Sequence, residues 1–203
     1  MTHKRLLLLL LIIFISISCK QELTNTKLNG PIFGTFYEVT YASDNDKNYQ
    51  NSVDSIFAVI NQSMSNYHED SDISKVNRHE LERVDAHFVE VFKASKKIYN
   101  ETNEVFDPTI GKLVNAWNFG SEQNKTKLDS LKIDSLMQYV GFEKIVLKNN
   151  SLIKTTPKPY IDFNAIAKGY TVDIVGEFLE SKNVTNYLVN IGGELRTKGV
   201  NID

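Results

Sequence analysis

Tyr160-Ile161-Asp162-Phe163-Asn164-Ala165-Ile166-Ala167-Lys168-Gly169-Tyr170-Thr171-Val172-Asp173 is the stretch whose reading decides the fold. It reads as the end of a strand, a sharp turn and the first turns of a buried helix. Pro157 and Pro159 keep the approach extended, because the residue before a proline is pushed out of the α region. Tyr160, Ile161 and Phe163 supply a short apolar strand end, and Asn164 suits an N-cap, its side-chain oxygen accepting from a free backbone N–H. Ile166, Tyr170, Ile174 and Phe178 then recur every fourth residue, with Val172, Val175 and Leu179 widening a face expected to be mostly core. A strand feeding a helix start presents unpaired N–H groups and partial positive charge, a setting that suits phosphate. Asp162, Lys168 and the small residues Ala165, Ala167 and Gly169 sit where a ligand can approach closely. An aspartate at a strand end more often caps a turn than binds a ligand, and both readings stay open here.

The N-terminus bears on compartment. His3, Lys4 and Arg5 precede an apolar run from Leu6 to Ile17, too short to span a bilayer and shaped like a signal-peptide core. Ser16-Ile17-Ser18-Cys19 follows, the pattern of a bacterial lipoprotein signal in which cleavage leaves Cys19, the only cysteine, to be lipidated. Several acyl chains on one residue anchor stably where one binds only marginally. Residues 1–18 are therefore expected as signal peptide, residues 19–30 as a flexible polar tether, and residues 31–203 as the folded part. The expected location is the bacterial cell envelope, lipid-anchored and facing the periplasm or exterior. Without residues 1–18 the chain is still long enough for one sizeable core. With 23 basic and 25 acidic residues and a net charge of −2, it offers no electrostatic case for nucleic acid.

Outward from the central stretch, the pattern alternates between hairpins and helices. Tyr37, Val39 and Tyr41 alternate with Glu38 and Thr40, as in a half-buried strand, and Gly34 before it suits a tight turn. Tyr49, Val53, Ile56, Phe57, Ile60 and Met64 fall at helical spacing, and so do Phe88, Val91, Phe92, Ser95, Ile98 and Tyr99 behind Asp85. Ser71 is placed to cap a short turn through Ile73 and Val76. Ser121 to Lys132 reads as a surface excursion, Ile133 to Val140 as a short helix ended by Gly141, and Ile145–Leu147 with Leu152–Lys154 as a hairpin. Tyr187 to Ile191 is expected as a strand buried on both faces, followed by a bend at Gly192-Gly193 and a partner strand from Glu194. The class is α+β, with mixed sheets and packed helices. His68, His79 and His87 lack zinc-site spacing. Trp117 and Phe119 read as core or pocket wall.

Four segments together resemble the ApbE-like family of FAD:protein FMN transferases. They are Phe33-Gly34-Thr35-Phe36-Tyr37; Ser65-Asn66-Tyr67 with Asp70 to Asn77; Phe106-Asp107-Pro108-Thr109-Ile110-Gly111 running on to Gly120; and Ile161 to Asp173 followed by Tyr187 to Glu194. The resemblance implies an exported, often lipid-anchored enzyme with an ApbE-like fold that binds FAD with Mg²⁺. Such an enzyme transfers FMN to a threonine hydroxyl of a partner, a subunit of a redox or sodium-pumping complex, and AMP leaves. By position, Phe33 and Tyr67 would line the flavin nucleotide pocket, Tyr67 stacking on a ring. Val105, Phe106 and Asp107 would contact the nucleotide, Asp162 and Lys168 would bind FAD, and the Ala165 carbonyl would be one metal ligand.

The resemblance also sets out departures. Glu104 and Asn118 stand where the family usually has glycine, and Lys112 replaces a usual proline. Family members run on beyond Asp203, so residues 31–203 are expected as the N-terminal portion of the domain, incomplete at the C-terminus. Two alternatives accompany the transferase reading: an FAD pyrophosphatase giving FMN and AMP, and an inactive FAD-binding lipoprotein.

Overall fold

The computed structural model describes residues 23–44, 47–122, 128–156 and 158–201. The expected signal peptide, Cys19 and Pro157 lie outside these residues. Six strands and six helices of at least six residues follow one another among those described: β1 Thr24–Ile32, β2 Thr35–Ser43, α1 Gln50–Met64, α2 Asp72–Asn77, α3 Ala86–Glu101, α4 Gly111–Ala116, α5 Ser130–Met137, β3 Ile145–Lys148, β4 Ser151–Lys154, α6 Ala167–Ser181, β5 Asn186–Ile191 and β6 Glu194–Lys198. A four-stranded sheet runs in the order β1-β2-β5-β6 and a separate hairpin pairs β3 with β4, every ladder antiparallel. This is an α+β fold, as the pattern of elements predicts.

Alternation explains the main sheet. Tyr37, Val39 and Tyr41 of β2 and Tyr187, Val189 and Ile191 of β5 point to one buried face. There they meet Val53 and Phe57 of α1 and Val172, Val175 and Leu179 of α6. A second core lies beyond α1, where Ile60 and Met64 join Ile73 and Val76 of α2, Phe88, Val91 and Phe92 of α3, Phe142, Leu152 of the small hairpin, and Ile161 and Phe163. Phe33 packs against both cores.

The fold departs from expectation in five places. The tether expected over residues 19–30 gives way to β1 from Thr24; only Leu28 is buried in that strand, which pairs along one edge through its backbone and so carries no apolar alternation. Helix α5 starts at Ser130 instead of Ile133, because Asp129 caps it by accepting from the Lys132 N–H. Tyr160–Phe163 forms no strand ladder, only an isolated parallel bridge between Tyr160 and Ile110. Helix α6 begins at Ala167, three residues after Asn164, with Ile166 at the cap position and no side-chain cap. Its buried face is Thr171, Val172, Val175, Gly176 and Leu179, while the fourfold stripe of Ile166, Tyr170, Ile174 and Phe178 is only half-buried. Finally, β5 is fully buried on one face; Leu188 and Asn190, on the other, are half-exposed.

All three hairpins among the described residues use two-residue turns with positive φ, and Gly192-Gly193 joins β5 to β6 at φ 60° and 103°. Asn149-Asn150 joins β3 to β4 at φ 50° and 61°, a left-handed geometry that asparagine tolerates well. Phe33-Gly34 joins β1 to β2 at φ 49° and 73°, and there a bulky residue occupies the left-handed region that disfavours it. Strand β6 is tied to α6 by Arg196, whose guanidinium reaches Asp173 at 3.1 Å, Glu177 at 3.8 Å and Glu180 at 2.9 Å, and donates to Tyr187 Oη at 3.0 Å. Hydrogen bonds from Tyr187, Lys198 and Arg196 hold the Glu180 carboxyl far below its usual range, at about 2.

The arginine lies so close to α6 that a side chain at Gly176 would begin 2.6 Å from Arg196 Cδ and 3.0 Å from Tyr187 Oη. Gly176→Ala raises intrinsic helix propensity by roughly 1 kcal/mol, yet overpacking costs about 1–3 kcal/mol. The variant is therefore expected to melt below the native protein in a thermal scan. A higher midpoint would show that Arg196 yields freely.

Candidate functional site

The segment that carries Asp162 is positioned by the backbone polar groups of one residue, Ile161. Ile161, fully buried, donates its N–H to Asn77 Oδ1 at 2.8 Å, and its carbonyl accepts from Asn77 Nδ2 at 2.9 Å and Asn66 Nδ2 at 3.1 Å. One asparagine side chain thus pairs with both polar groups of the residue, as a neighbouring strand would. The next N–H, that of Asp162, donates to the Pro108 carbonyl at 2.7 Å. These four bonds bring together three loops that the sequence reading singled out: Ser65–Tyr67, Asp107–Gly111 and Asp162–Lys168.

Asp162 itself is buried. Its Oδ1 accepts from the Asn164 backbone N–H at 2.7 Å and its Oδ2 from Asn164 Nδ2 at 3.1 Å, so this aspartate does shape the turn. Burial pushes its carboxyl pKa up, and the Asn164 bonds offset part of that shift. The turn is open at its crest: Asn164 and Ala165 are exposed, and among the described residues no backbone N–H donates to the Ala165 carbonyl. A free, exposed carbonyl at a helix start is a hard oxygen of the kind magnesium takes alongside substrate phosphates. Among the described residues no group of three or more His, Cys, Asp or Glu side chains is gathered for a metal.

Lys168, in the first turn of α6, turns its ammonium toward the β5–β6 hairpin, 3.0 Å from Glu194 Oε1. The pair is about one-third exposed, and the second carboxylate oxygen of Glu194 is enclosed without a hydrogen-bond partner. An ion pair this exposed contributes no more than about 1 kcal/mol, and the unpartnered oxygen works against it. Glu194 therefore holds Lys168 only weakly.

The remaining predicted residues are dispersed around this turn. Phe33 contacts Phe57 edge-on at 6.0 Å and lines an open cavity of about 680 Å³ between the β1–β2 turn and α1; of the predicted residues it alone does so. Tyr67 is exposed, its hydroxyl donating to the Phe119 carbonyl at 2.9 Å. Val105 is exposed and Phe106 half-buried. Asp107 Oδ1 accepts from Thr109 N and Oγ1 at 2.7 and 2.6 Å, and its Oδ2 from Phe142 N at 3.2 Å, so its carboxylate braces its own loop against the Gly141–Phe142 bend. Glu104 and Asn118, the two replacements of usual glycines, have φ of 70° and 61°, the conformation glycine adopts readily. Sequence reasoning gave no role to Asn66, Asn77 or Glu194. Each lay within a quoted motif, but nothing local shows that Asn77 serves a peptide 84 residues away.

The ApbE family model matches residues 33–203. The chain is 33% identical over 193 residues to the FAD:protein FMN transferase of Vibrio cholerae, covering 91% of this chain and 58% of that protein. It is 34% identical over 201 residues to the enzyme of the same name from Haemophilus influenzae, covering 92% and 58%. The fold superposes on the flavin transferase ApbE from Vibrio cholerae with a TM-score of 0.83 at 32% identity, over 89% of this chain and 61% of that one. On the Pseudomonas stutzeri flavinyl transferase ApbE in its apo form the TM-score is 0.80 at 27% identity, over 87% and 59%. The chain thus spans about three-fifths of the length of these relatives.

Replacing Asn77 by alanine leaves the buried Ile161 N–H without an acceptor, a loss of about 1–3 kcal/mol. Chemical denaturation of Asn77→Ala is expected to show that loss, and Asn66→Ala a smaller one because the Ile161 carbonyl keeps its Asn77 partner. An unshifted midpoint for Asn77→Ala would remove the clamp from the account.

Proposed function

The chain belongs to the ApbE family, and on that premise we propose that the protein moves FMN from FAD onto a threonine hydroxyl of an acceptor protein, with Mg²⁺ assisting and AMP leaving. The observation that carries this reading is the open turn from Asp162 to Lys168, with its free Ala165 carbonyl and weakly held lysine. A diphosphate needs these two things nearby, a cation and a site for a metal-bridged oxygen.

In the reaction the threonine Oγ forms a bond to the phosphorus on the riboflavin side. The bond from that phosphorus to the bridging oxygen breaks, AMP leaves with the bridging oxygen, and the hydroxyl proton passes to a base. Positioning and charge neutralisation carry most of such a rate. Lys168 exchanges Glu194 for the diphosphate and balances charge on its oxygens. Asp162 holds the turn at the correct distance, and its buried carboxylate lies beside the incoming nucleotide. Tyr67 offers an exposed ring face for stacking, and Phe33 forms apolar wall. Because the Asp107 carboxylate is occupied within its loop, the backbone of Val105, Phe106 and Asp107 makes the nucleotide contact. The bound magnesium, with Ala165 as one oxygen ligand, would neutralise phosphate oxygens.

The acceptor we infer is an exported redox protein or a subunit of a sodium-pumping complex. The expected lipoprotein signal with Cys19 supports placing the enzyme on the cell envelope, facing the periplasm or exterior. No helix among the described residues is long and apolar enough to cross a membrane.

Incubation with FAD, Mg²⁺ and a threonine-bearing acceptor is expected to yield protein-bound FMN and AMP in equal amounts, and chelation with EDTA to stop both. Lys168→Met and Asp162→Asn are expected to slow transfer at least about ten-fold, a barrier increase of about 1.4 kcal/mol. Free FMN accumulating without bound flavin would replace transfer by hydrolysis. Neither product appearing would sink the reading.

A further inference from the structure

We propose that the hydrogen bond from Tyr67 Oη to the Phe119 carbonyl is a latch that presets the Tyr67 ring for a planar aromatic ligand, with Asn115 and Gly120 as its base. The inference rests on the flavin reading above and adds three positioning residues to it. Tyr67 is 62% exposed, and a ring so exposed ordinarily exchanges between rotamers. Here both ends are held. At the backbone, the Tyr67 N–H donates to Ser65 Oγ at 3.3 Å, and the preceding Asn66 is fastened to the Ile161 carbonyl. At the tip, the hydroxyl reaches Phe119, 52 residues away, at 2.9 Å.

The carbonyl that receives it is itself fixed. The Asn118 N–H donates to the Asn115 carbonyl and the Phe119 N–H to the Val114 carbonyl, both at 3.0 Å. Asn115 is buried, and its Oδ1 accepts from the Glu122 N–H at 3.4 Å, closing the loop around Gly120. Gly120 lies so near that a Cβ there would stand 1.7 Å from Asn115 Oδ1 and 3.2 Å from its Cα. The Phe119 carbonyl therefore has one position, and the Tyr67 ring takes its orientation from it. A ring ordered before the ligand arrives loses no rotamer freedom on binding, and affinity rises accordingly. Phe119, 77% exposed beside the latch, adds a second apolar ring to the same rim.

The test is a fluorescence titration of the full chain with FAD. Tyr67→Phe keeps the ring and removes the latch. Its Kd for FAD is expected to rise about three- to ten-fold, the cost of immobilising one freed side chain on binding, with the fluorescence change at saturation unaltered. Gly120→Ala keeps the hydroxyl but displaces the carbonyl, and is expected to weaken binding similarly; the double variant is expected to be no weaker than either single one. Tyr67→Phe binding FAD within about two-fold of native, or losses that add in the double variant, would overturn the latch alone. A native chain that neither binds FAD nor alters its fluorescence would overturn the latch together with the flavin reading.

Discussion

The pairing of the Asn77 amide with the Ile161 peptide is the contact on which the candidate site depends. Buried backbone groups must find partners, and Ile161 belongs to no strand ladder among the described residues. Asn77 supplies a donor and an acceptor from one side chain, and Asn66 adds a second donor. The consequence is positional. The same bonds that satisfy a buried backbone also fix where Asp162 begins its turn, and the turn fixes where α6 starts. Since Asn66 adjoins Tyr67 and Asn77 ends α2, the clamp also registers the aromatic loop against the helix start.

Electrostatics divide α6 into two regimes. Along one side, Asp173, Glu177 and Glu180 surround Arg196, a cation with several partners at once and a fixed place in the packing. At the N-terminal end, Lys168 has the single partner Glu194, whose other oxygen is left unmatched. Networks of charge hold better than isolated exposed pairs. The helix is therefore anchored to the sheet through its middle and distal turns, while its first cation remains exchangeable, an arrangement suited to receiving an anion without disturbing the fold.

The order of elements was legible because burial and periodicity coincide in most of them. Strand β2 alternates visibly, α1 and α3 carry their apolar stripes at helical spacing, and the Gly34 and Asn149-Asn150 turns announce the hairpins. Legibility fails where another force decides. Strand β1 is held by backbone pairing with little burial, so its side chains look like a tether. The start of α6 is set by the Asp162–Asn164 turn, which displaces the cap expected at Asn164. The inner face of α6 passes through Thr171 and Gly176, residues a hydrophobic count overlooks. Of the site, Asp162 and Lys168 stand out because a charged pair brackets the small residues Ala165 and Ala167. Asn66, Asn77 and Glu194 do not, since their work lies in contacts made only after folding.

Phe33 takes the first position of a turn that asparagine or glycine would occupy with less strain, yet its ring is shared between two cores and the cavity beside α1. Turn strain and packing therefore pull in opposite directions at this one position. Asparagine would relax the backbone but would leave both cores without the ring that now packs against them. The hairpin tip is thus a place where the easier backbone and the better-filled interior call for different residues.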